Sequence, residues 1–514
     1  MTFLQNIKLI QGGMGVYVSN WRLAKAVAIE KPGVTAGTVS GTGLDVIYVR
    51  LLQLGDPGGY ARQALSALDD QFGVEIGQKI CKRYFIEGGK APKATFKYAP
   101  LQITRTHDGR LTLPAQMQPG PIELSLEEDI VELLIATGFA EVWLAKQGHD
   151  GKIFINFLKK VELPLIYTMY GAMLAGVDGV IVGAGNPEGL PAVRTRLIDH
   201  HEVTIDLSVL YREAGESFYV PFNPGSVAGG KLAHSPLKRP AFLAIVSLEN
   251  LVLALAQSPT EAPDGFIIEH HTAGGHNAGP QGALMKDTLG QPIYNELDEP
   301  NLHMIRQVGL PFWLAGGYGS REKLQQALSA GAAGVQVGSL FALAEESGMK
   351  PAYRTAILNE IKRGVTDADL VHTTMFSPTG YPFKVVQLKN TLAEDEVYNT
   401  RRRVCDLGLL QQRGLSKPAA DGSRQLFQRC QAAPVEDFTK KRGLERNTDE
   451  KRCLCNGLLS AVGLNQVGTQ PGELNEEPAI VTLGNHLGGI RRLSRQGQTP
   501  YWVRDVVADI LGQE

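Results

Sequence analysis

Short apolar runs alternate with amphipathic stretches along most of this chain. IKLIQ (7–11), VTAGTV (34–39), APLQI (99–103), AEVWLAK (140–146), DGVIVGA (178–184), PAFLAIV (240–246), DGFIIEH (264–270), PFWLAG (311–316) and AGVQVGS (333–339) read as strands buried on both faces. SREKLQQALSAG (320–331) reads as a helix with Leu324, Ala327 and Leu328 on one face. Strand, glycine turn, then helix is the rhythm of a parallel α/β fold. Nine candidates are what an eight-stranded barrel plus one surplus assignment would give. A doubly wound open sheet competes, but the glycine turns cluster late in the series. That favours a (β/α)8 TIM barrel over residues 1–385. Segments 47–98 and 185–235 are long for βα connections and read as insertions. From 386 to 514 the texture changes, and a mainly helical region packed on the barrel is expected. The basic runs RRR (401–403) and KKR (440–442) there read as solvated faces.

Composition narrows the class. Of 514 residues, 43% are apolar and 20% charged, as in globular proteins. A net charge of −2 gives no electrostatic argument for nucleic acid or an anionic membrane surface. No apolar run reaches the roughly 18 residues of a membrane span. MTFLQNIKLIQGGMG lacks the basic and apolar regions of a signal peptide, so a cytoplasmic protein is expected. Four of the five cysteines, Cys405, Cys430, Cys453 and Cys455, fall in the C-terminal region. They could ligate zinc or an iron–sulfur cluster, but gaps of 24 and 22 residues followed by C-x-C match no strong motif. Free buried thiols and no metal are the expectation.

Glycine, at 58 residues, is the outlier, and it follows the apolar runs. In WLAGGYGSREKLQQALSAGAAGVQVGS (313–339), two strands one helix apart end in glycine turns. Loops after the seventh and eighth strands are the usual phosphate site of this fold. Backbone N–H groups at Gly316, Gly317, Gly338 and Ser339 can converge there, and the Ser339 hydroxyl adds a donor. The preceding strand runs into EHHTAGGHN (269–277). Gly274 and Gly275 would let the chain pass close to a flat ring, with His276 beside it as a proton acceptor near neutral pH. His270 and His271, adjacent on the strand, are expected to point to opposite faces, so that at most one looks into the barrel. FNPGSVAGGK (222–231) resembles a phosphate loop but lacks the strand-to-helix context, and a plain loop is expected.

IQGGMGVYVSN (10–20), EHHTAGGHN and AGGYGS…AGAAGVQVGS (315–339), in this order, resemble the nitronate monooxygenase family, also called 2-nitropropane dioxygenases, and the related flavin-dependent enoyl reductases. YGAMLAGVDGVIVGAG (170–185), FSPTGYPFK (376–384) and the C-terminal region are similar to the longer members. The resemblance implies a TIM barrel holding FMN non-covalently. Gly13 and Met14 would line the flavin. Glu269 and Gly274 would lie near its ring. Gly316, Gly317, Gln336, Gly338 and Ser339 would hold the phosphate and ribityl end. His276 falls on the catalytic histidine. The flavin-contacting asparagine expected at strand three has no clear counterpart, and Gln102 is a poor candidate. The implied reaction is oxidation of alkyl nitronates with O2. The alternative is an NAD(P)H-dependent enoyl reductase acting in trans on thioesters borne by a carrier protein, and a flavin-binding subunit without turnover is a third reading. A second copy of the chain is a further candidate partner. Tyr381 and Lys384 could close over a small-molecule substrate.

Overall fold

The computed structural model describes residues 3–97, 112–113, 120–401, 403, 405–470, 473–495 and 500–512. Eight parallel strands close into a barrel: β1 (Leu9–Gln11), β2 (Thr35–Ser40), β3 (Lys152–Leu158), β4 (Gly179–Gly183), β5 (Ala241–Val246), β6 (Gly265–Glu269), β7 (Phe312–Ala315) and β8 (Gly334–Val337). They neighbour one another in chain order, and Leu9, Ile10 and Gln11 pair with Val335, Gln336 and Val337 to shut the ring. The expected (β/α)8 TIM barrel is what the chain forms.

Alternation along each strand decides what the barrel encloses. Ile10, Ala36, Phe154, Ile181, Leu243, Ile267 and Trp313 face inward and pack together with Leu4 and Ile7. The Trp313 indole Nε1 donates to the Ile7 carbonyl at 2.9 Å, so the N-terminal turn plugs the bottom. That end is solid. The cavity opens at the other end, where the strands hand over to their loops.

Two assignments differ from the sequence reading. AEVWLAK (140–146) is no strand but the end of a helix, Glu128–Lys146, packed on the helix Glu162–Leu174. Both are buried around most of their circumference, so neither shows a polar face to set a helical period. The third barrel strand is KIFINFL (152–158) instead. APLQI (99–103) and Gln102 lie outside the described residues.

The insertion after β2 folds as helices Leu44–Gln53, Tyr60–Phe72 and Ile76–Tyr84. The one after β4 carries the helix Leu190–Ile198 and the antiparallel strands Val203–Leu207 and Ser217–Phe222. FNPGSVAGGK forms a tight turn pinned by the Asn223 side chain on Gly225 N, away from the cavity. The C-terminal region mixes short helices with strands. Gln412–Leu415 and Arg424–Arg429 pair with each other and with Val209–Leu210 and Thr112–Leu113. Arg401 is not on a solvated face: it is buried against Glu477 at 2.9 Å and lies over the Tyr398 ring. The helix Val503–Leu511 packs on the first barrel helix, Trp21–Glu30. No helix among the described residues is long and apolar enough to cross a membrane.

Candidate active site

The strand ends and their loops enclose a cavity of about 710 Å³. The ten residues read as catalytic or flavin-binding, Gly13, Met14, Glu269, Gly274, His276, Gly316, Gly317, Gln336, Gly338 and Ser339, all line it, whereas Tyr381 and Lys384 do not.

At one end are the turns after β7 and β8. Gly316 and Gly317 take φ of 92° and 81°, the left-handed region that strains any side chain. A Cβ on Gly317 would also sit 2.7 Å from the His486 ring. That neighbour comes from the C-terminal region, whose segment 482–489 crosses the cavity as a strap. Gly484 N donates to Ser339 Oγ at 2.8 Å, and Gly275 N donates to Thr482 Oγ1 at 2.8 Å. Asn485 N reaches the Thr272 carbonyl at 3.3 Å. The strap lies so close that a Cβ on Gly274 would be 2.8 Å from Gly484 N. Close backbone packing therefore explains Gly274. The strap had no recognisable motif in the sequence.

On β3, Asn156 follows the inward Phe154 by two residues and so points into the cavity. Its Nδ2 donates to the Gly13 carbonyl at 3.0 Å. Its Oδ1 is buried with no hydrogen-bond partner among the described residues, as is Gln336 Oε1 on β8. Asn156 is thus an asparagine of the third barrel strand that faces the cavity. The alternation F-I-N within an apolar run was the signal that could have located it.

At the other end of the cavity are buried ionisable groups: Glu269 and His276 line it, while Lys160 and Lys384 lie behind its wall. The loop after β6 is clamped by an antiparallel ribbon, Val371–Thr374 with Phe383–Val386. Lys384 N donates to the Gly275 carbonyl at 3.0 Å, and Asn277 N to the Pro382 carbonyl at 3.2 Å. His276 Nε2 and Ser377 Oγ share a 2.6 Å hydrogen bond, and Phe383 meets the imidazole edge-on at 4.8 Å. Burial, and then the nearby Lys160 ammonium, hold the His276 pKa well below 6.5. Glu269 ends β6; burial raises its carboxyl to about 7 against the pull of Lys384 and Lys160. Burial lowers both lysines to about 7, opposed by Glu269. Lys384 Nζ donates to Thr373 Oγ1 at 3.0 Å. Lys160 Nζ has no hydrogen-bond partner and lies 4.5 Å from the centre of the Tyr381 ring. Lys160 was missed because it follows the strand that was missed.

His270 and His271 lie just past β6, so strand alternation does not separate them, and their rings are 4.0 Å apart. His270 Nε2 bonds Glu299 at 2.9 Å, while His271 stacks on Tyr294. His270 lines the cavity and His271 does not.

The parallel barrel presents a glycine-walled cavity faced by two amide oxygens and an imidazole, and the family evidence makes the protein an enzyme. Its class is flavin-dependent oxidoreductase. Residues 241–392 match the family model described as nitronate monooxygenase, which bears out the resemblance read from the motifs. That span runs from β5 to the ribbon and includes Glu269, His276, the glycine turns after β7 and β8, and Lys384. No curated protein matches the chain. Among solved structures, the chain is similar to FabK from Thermotoga maritima, with TM-score 0.45 and 14% identity over 99% of this chain and 93% of that one. It is also similar to nitroalkane oxidase from Streptomyces ansochromogenes, with TM-score 0.35 and 15% identity over 75% and 79%. A third is the enoyl reductase domain of MlnA from Bacillus amyloliquefaciens, with TM-score 0.39 and 13% identity over 74% and 83%.

Proposed function

We propose that the cavity holds FMN non-covalently and that the enzyme oxidises alkyl nitronates with O2, with His276 handling the substrate proton. The observation that carries this reading is a buried, neutral imidazole in the cavity, within the segment that matches the nitronate monooxygenase family.

The residues present fit a flavin mononucleotide. Asn156 Oδ1 and Gln336 Oε1 are acceptors waiting for donors, which a flavin ring N–H and the ribityl hydroxyls supply. The turns at Gly316–Gly317 and Gly338–Ser339 offer backbone N–H groups to one phosphate. When bound, FMN supplies the electron acceptor and the reaction with oxygen. The chain's own residues manage the proton. The hydrogen on carbon beside a nitro group is acidic, and a neutral imidazole can take it. Ser377 occupies Nε2, so the ring is fixed and Nδ1 is the nitrogen without a partner among the described residues. Lys160 and Lys384 bring positive charge to the same end, where it favours a nitronate anion.

The NAD(P)H-dependent enoyl reductase reading draws on the same two lysines. A buried amine with pKa near 7 holds a transferable proton at neutral pH, which an enolate would need.

His276→Ala separates the readings. The variant is expected to keep its flavin, because the phosphate and amide contacts come from other strands. Turnover of a neutral nitroalkane should fall by about 10²–10⁴, with a smaller loss on preformed nitronate. Equal activity of variant and wild type on both would make the histidine structural. Wild-type protein that rejects both, but whose flavin is bleached anaerobically by NADPH and which reduces an enoyl thioester, would establish the reductase.

A further inference from the structure

The turn that follows β6 gathers three metal-binding side chains at the rim of the cavity. On a strand, His270 and His271 would face opposite ways. Here Ala273 N donates to the His270 carbonyl at 3.0 Å, closing a tight turn that swings both imidazoles to one side, with ring centres 4.0 Å apart. Glu299 arrives from the far end of the same loop. One ligand atom from each of the three lies within 4.8 Å of the other two. We propose that His270, His271 and Glu299 bind a divalent transition-metal ion at the cavity rim.

Each side chain is set up as a ligand. His270 Nε2 and Glu299 Oε1 are 2.9 Å apart. That is the separation of two ligands lying about 2.1 Å from one ion at a right angle. The other ring nitrogen, Nδ1, lies 2.8 Å from Thr272 Oγ1. With Nε2 on a metal, Nδ1 carries the proton and donates it to that hydroxyl, the usual outer contact of a metal-bound histidine. Thr272 N also points at Nδ1, but at 3.4 Å it is too long to fix the opposite tautomer. His271 makes no hydrogen bond through either ring nitrogen among the described residues. Its ring is held by stacking on Tyr294, with centres 3.9 Å apart and planes 6° from parallel. Tyr294 Oη is itself pinned, accepting from Asn277 Nδ2 at 2.6 Å and donating to the Ala278 carbonyl at 3.0 Å. An ion pair between His270 and Glu299 alone would leave this oriented, unpaired second imidazole unexplained.

Ligands at about 2.0–2.2 Å from one ion sit roughly 3.0–3.5 Å apart, so the widest separation has to close by at most about 1.5 Å. Glu299 can supply that movement. Its side chain is 60% exposed, while the backbone beside it is anchored. The neighbouring Asp298 carboxylate accepts from Gln281 N and Asn295 N, both at 2.7 Å. Asp298 is thereby occupied, and Glu299 is the carboxylate that can turn to the ion.

Two imidazoles and one carboxylate select zinc, iron(II) and their neighbours over magnesium or calcium, which take oxygen ligands. His270 and Glu299 line the cavity and His271 does not. The protein therefore holds one side of the ion, and its remaining positions open toward the cavity. The site adjoins the turn after β7: a Cβ on Gly316 would lie 3.0 Å from His270 Cβ. The open positions can take water or an oxygen of an anion entering at that rim. The sequence expectation of no metal rested on the spacing of the cysteines, none of which belongs to this group. The site stands independently of the nitronate reading, since none of its ligands handles the substrate proton there.

The test is binding of the metal itself. Full-length protein is stripped with EDTA and titrated calorimetrically with zinc chloride and, separately, with magnesium chloride. One zinc per chain is expected, with magnesium bound far more weakly. His271→Ala and Glu299→Ala should each abolish this binding. Thr272→Val, which removes only the outer hydroxyl, should weaken it by about 10–100-fold. His303→Ala, at an exposed histidine on the helix Leu302–Gln307, should leave it unchanged. Circular dichroism checks the fold, and the exposed Glu299 is the position least able to disturb it. Absence of saturable zinc binding to the wild type would overturn the assignment. So would zinc bound equally by wild type, His271→Ala and Glu299→Ala, which would place it on other histidines or on thiols, or magnesium bound as tightly as zinc.

Discussion

A buried amide oxygen without a partner costs about 1–3 kcal/mol, and Asn156 and Gln336 each bring one to the same cavity. Gly13 keeps Asn156 in place: a Cβ there would lie 2.1 Å from Asn156 Oδ1. Gly13→Ala should therefore push the amide aside and weaken FMN binding at least about tenfold, with the fold intact. Quenching of flavin fluorescence on titration measures this, and an unchanged dissociation constant would remove Asn156 from the cofactor site. The ionisable cluster makes a second prediction. Lys160 and Lys384 are lowered from 10.5 to about 7, so between those values the unfolded chain holds protons that the folded one has shed. Their contribution to stability thus rises with pH across that window. Glu269, raised from 4.5 to about 7, contributes less as pH climbs between those two values. Lys384→Met should accordingly flatten the increase in melting temperature between pH 8 and 10, relative to wild type. Parallel melting curves for the two proteins would mean that Lys384 is charged in the folded state.

At the scale of elements, the helices Glu128–Lys146 and Glu162–Leu174 cross at two glycines. A Cβ on Gly138 would be 2.3 Å from the Thr168 carbonyl oxygen, and one on Gly171 would be 2.0 Å from that of Ile135. Gly138→Ala should cost about 1–3 kcal/mol through forced separation of the pair. Thermal unfolding reads it, and a melting temperature equal to wild type would show that the helices can part freely. The same contact explains what the sequence hid. Seven strands of the barrel were legible because glycine turns punctuate short apolar runs. KIFINFL escaped because AEVWLAK looked just as apolar. In a helix covered on nearly every side, the 3.6-residue period has no polar positions to express it. Glu141, the one carboxylate in that run, is itself buried, accepting from Trp21 N at 2.6 Å and Tyr48 Oη at 2.9 Å. Once the strand was misplaced, Asn156 and Lys160 went with it. The glycines and His276 survived because their motifs are local.

At the scale of the whole molecule, the barrel does not build its cavity alone. Segment 482–489 lies more than 140 residues beyond Ser339, yet Gly484 hydrogen-bonds to the hydroxyl of that residue. A purely local motif search stops at residue 384, so this wall was invisible in the sequence. The strap also imposes an order on biosynthesis. While the ribosome still covers the last segment, the barrel can close, because β1 and β8 are both already free, but the cavity end at Gly317 and Ser339 lacks its strap. A nascent chain at that stage can bind the flavin only loosely and exchange it with the pool. Capture becomes lasting when the final segment emerges and folds down across Gly274 and Gly317. A polypeptide cut short before the strap is therefore expected to retain less flavin on purification than the full chain.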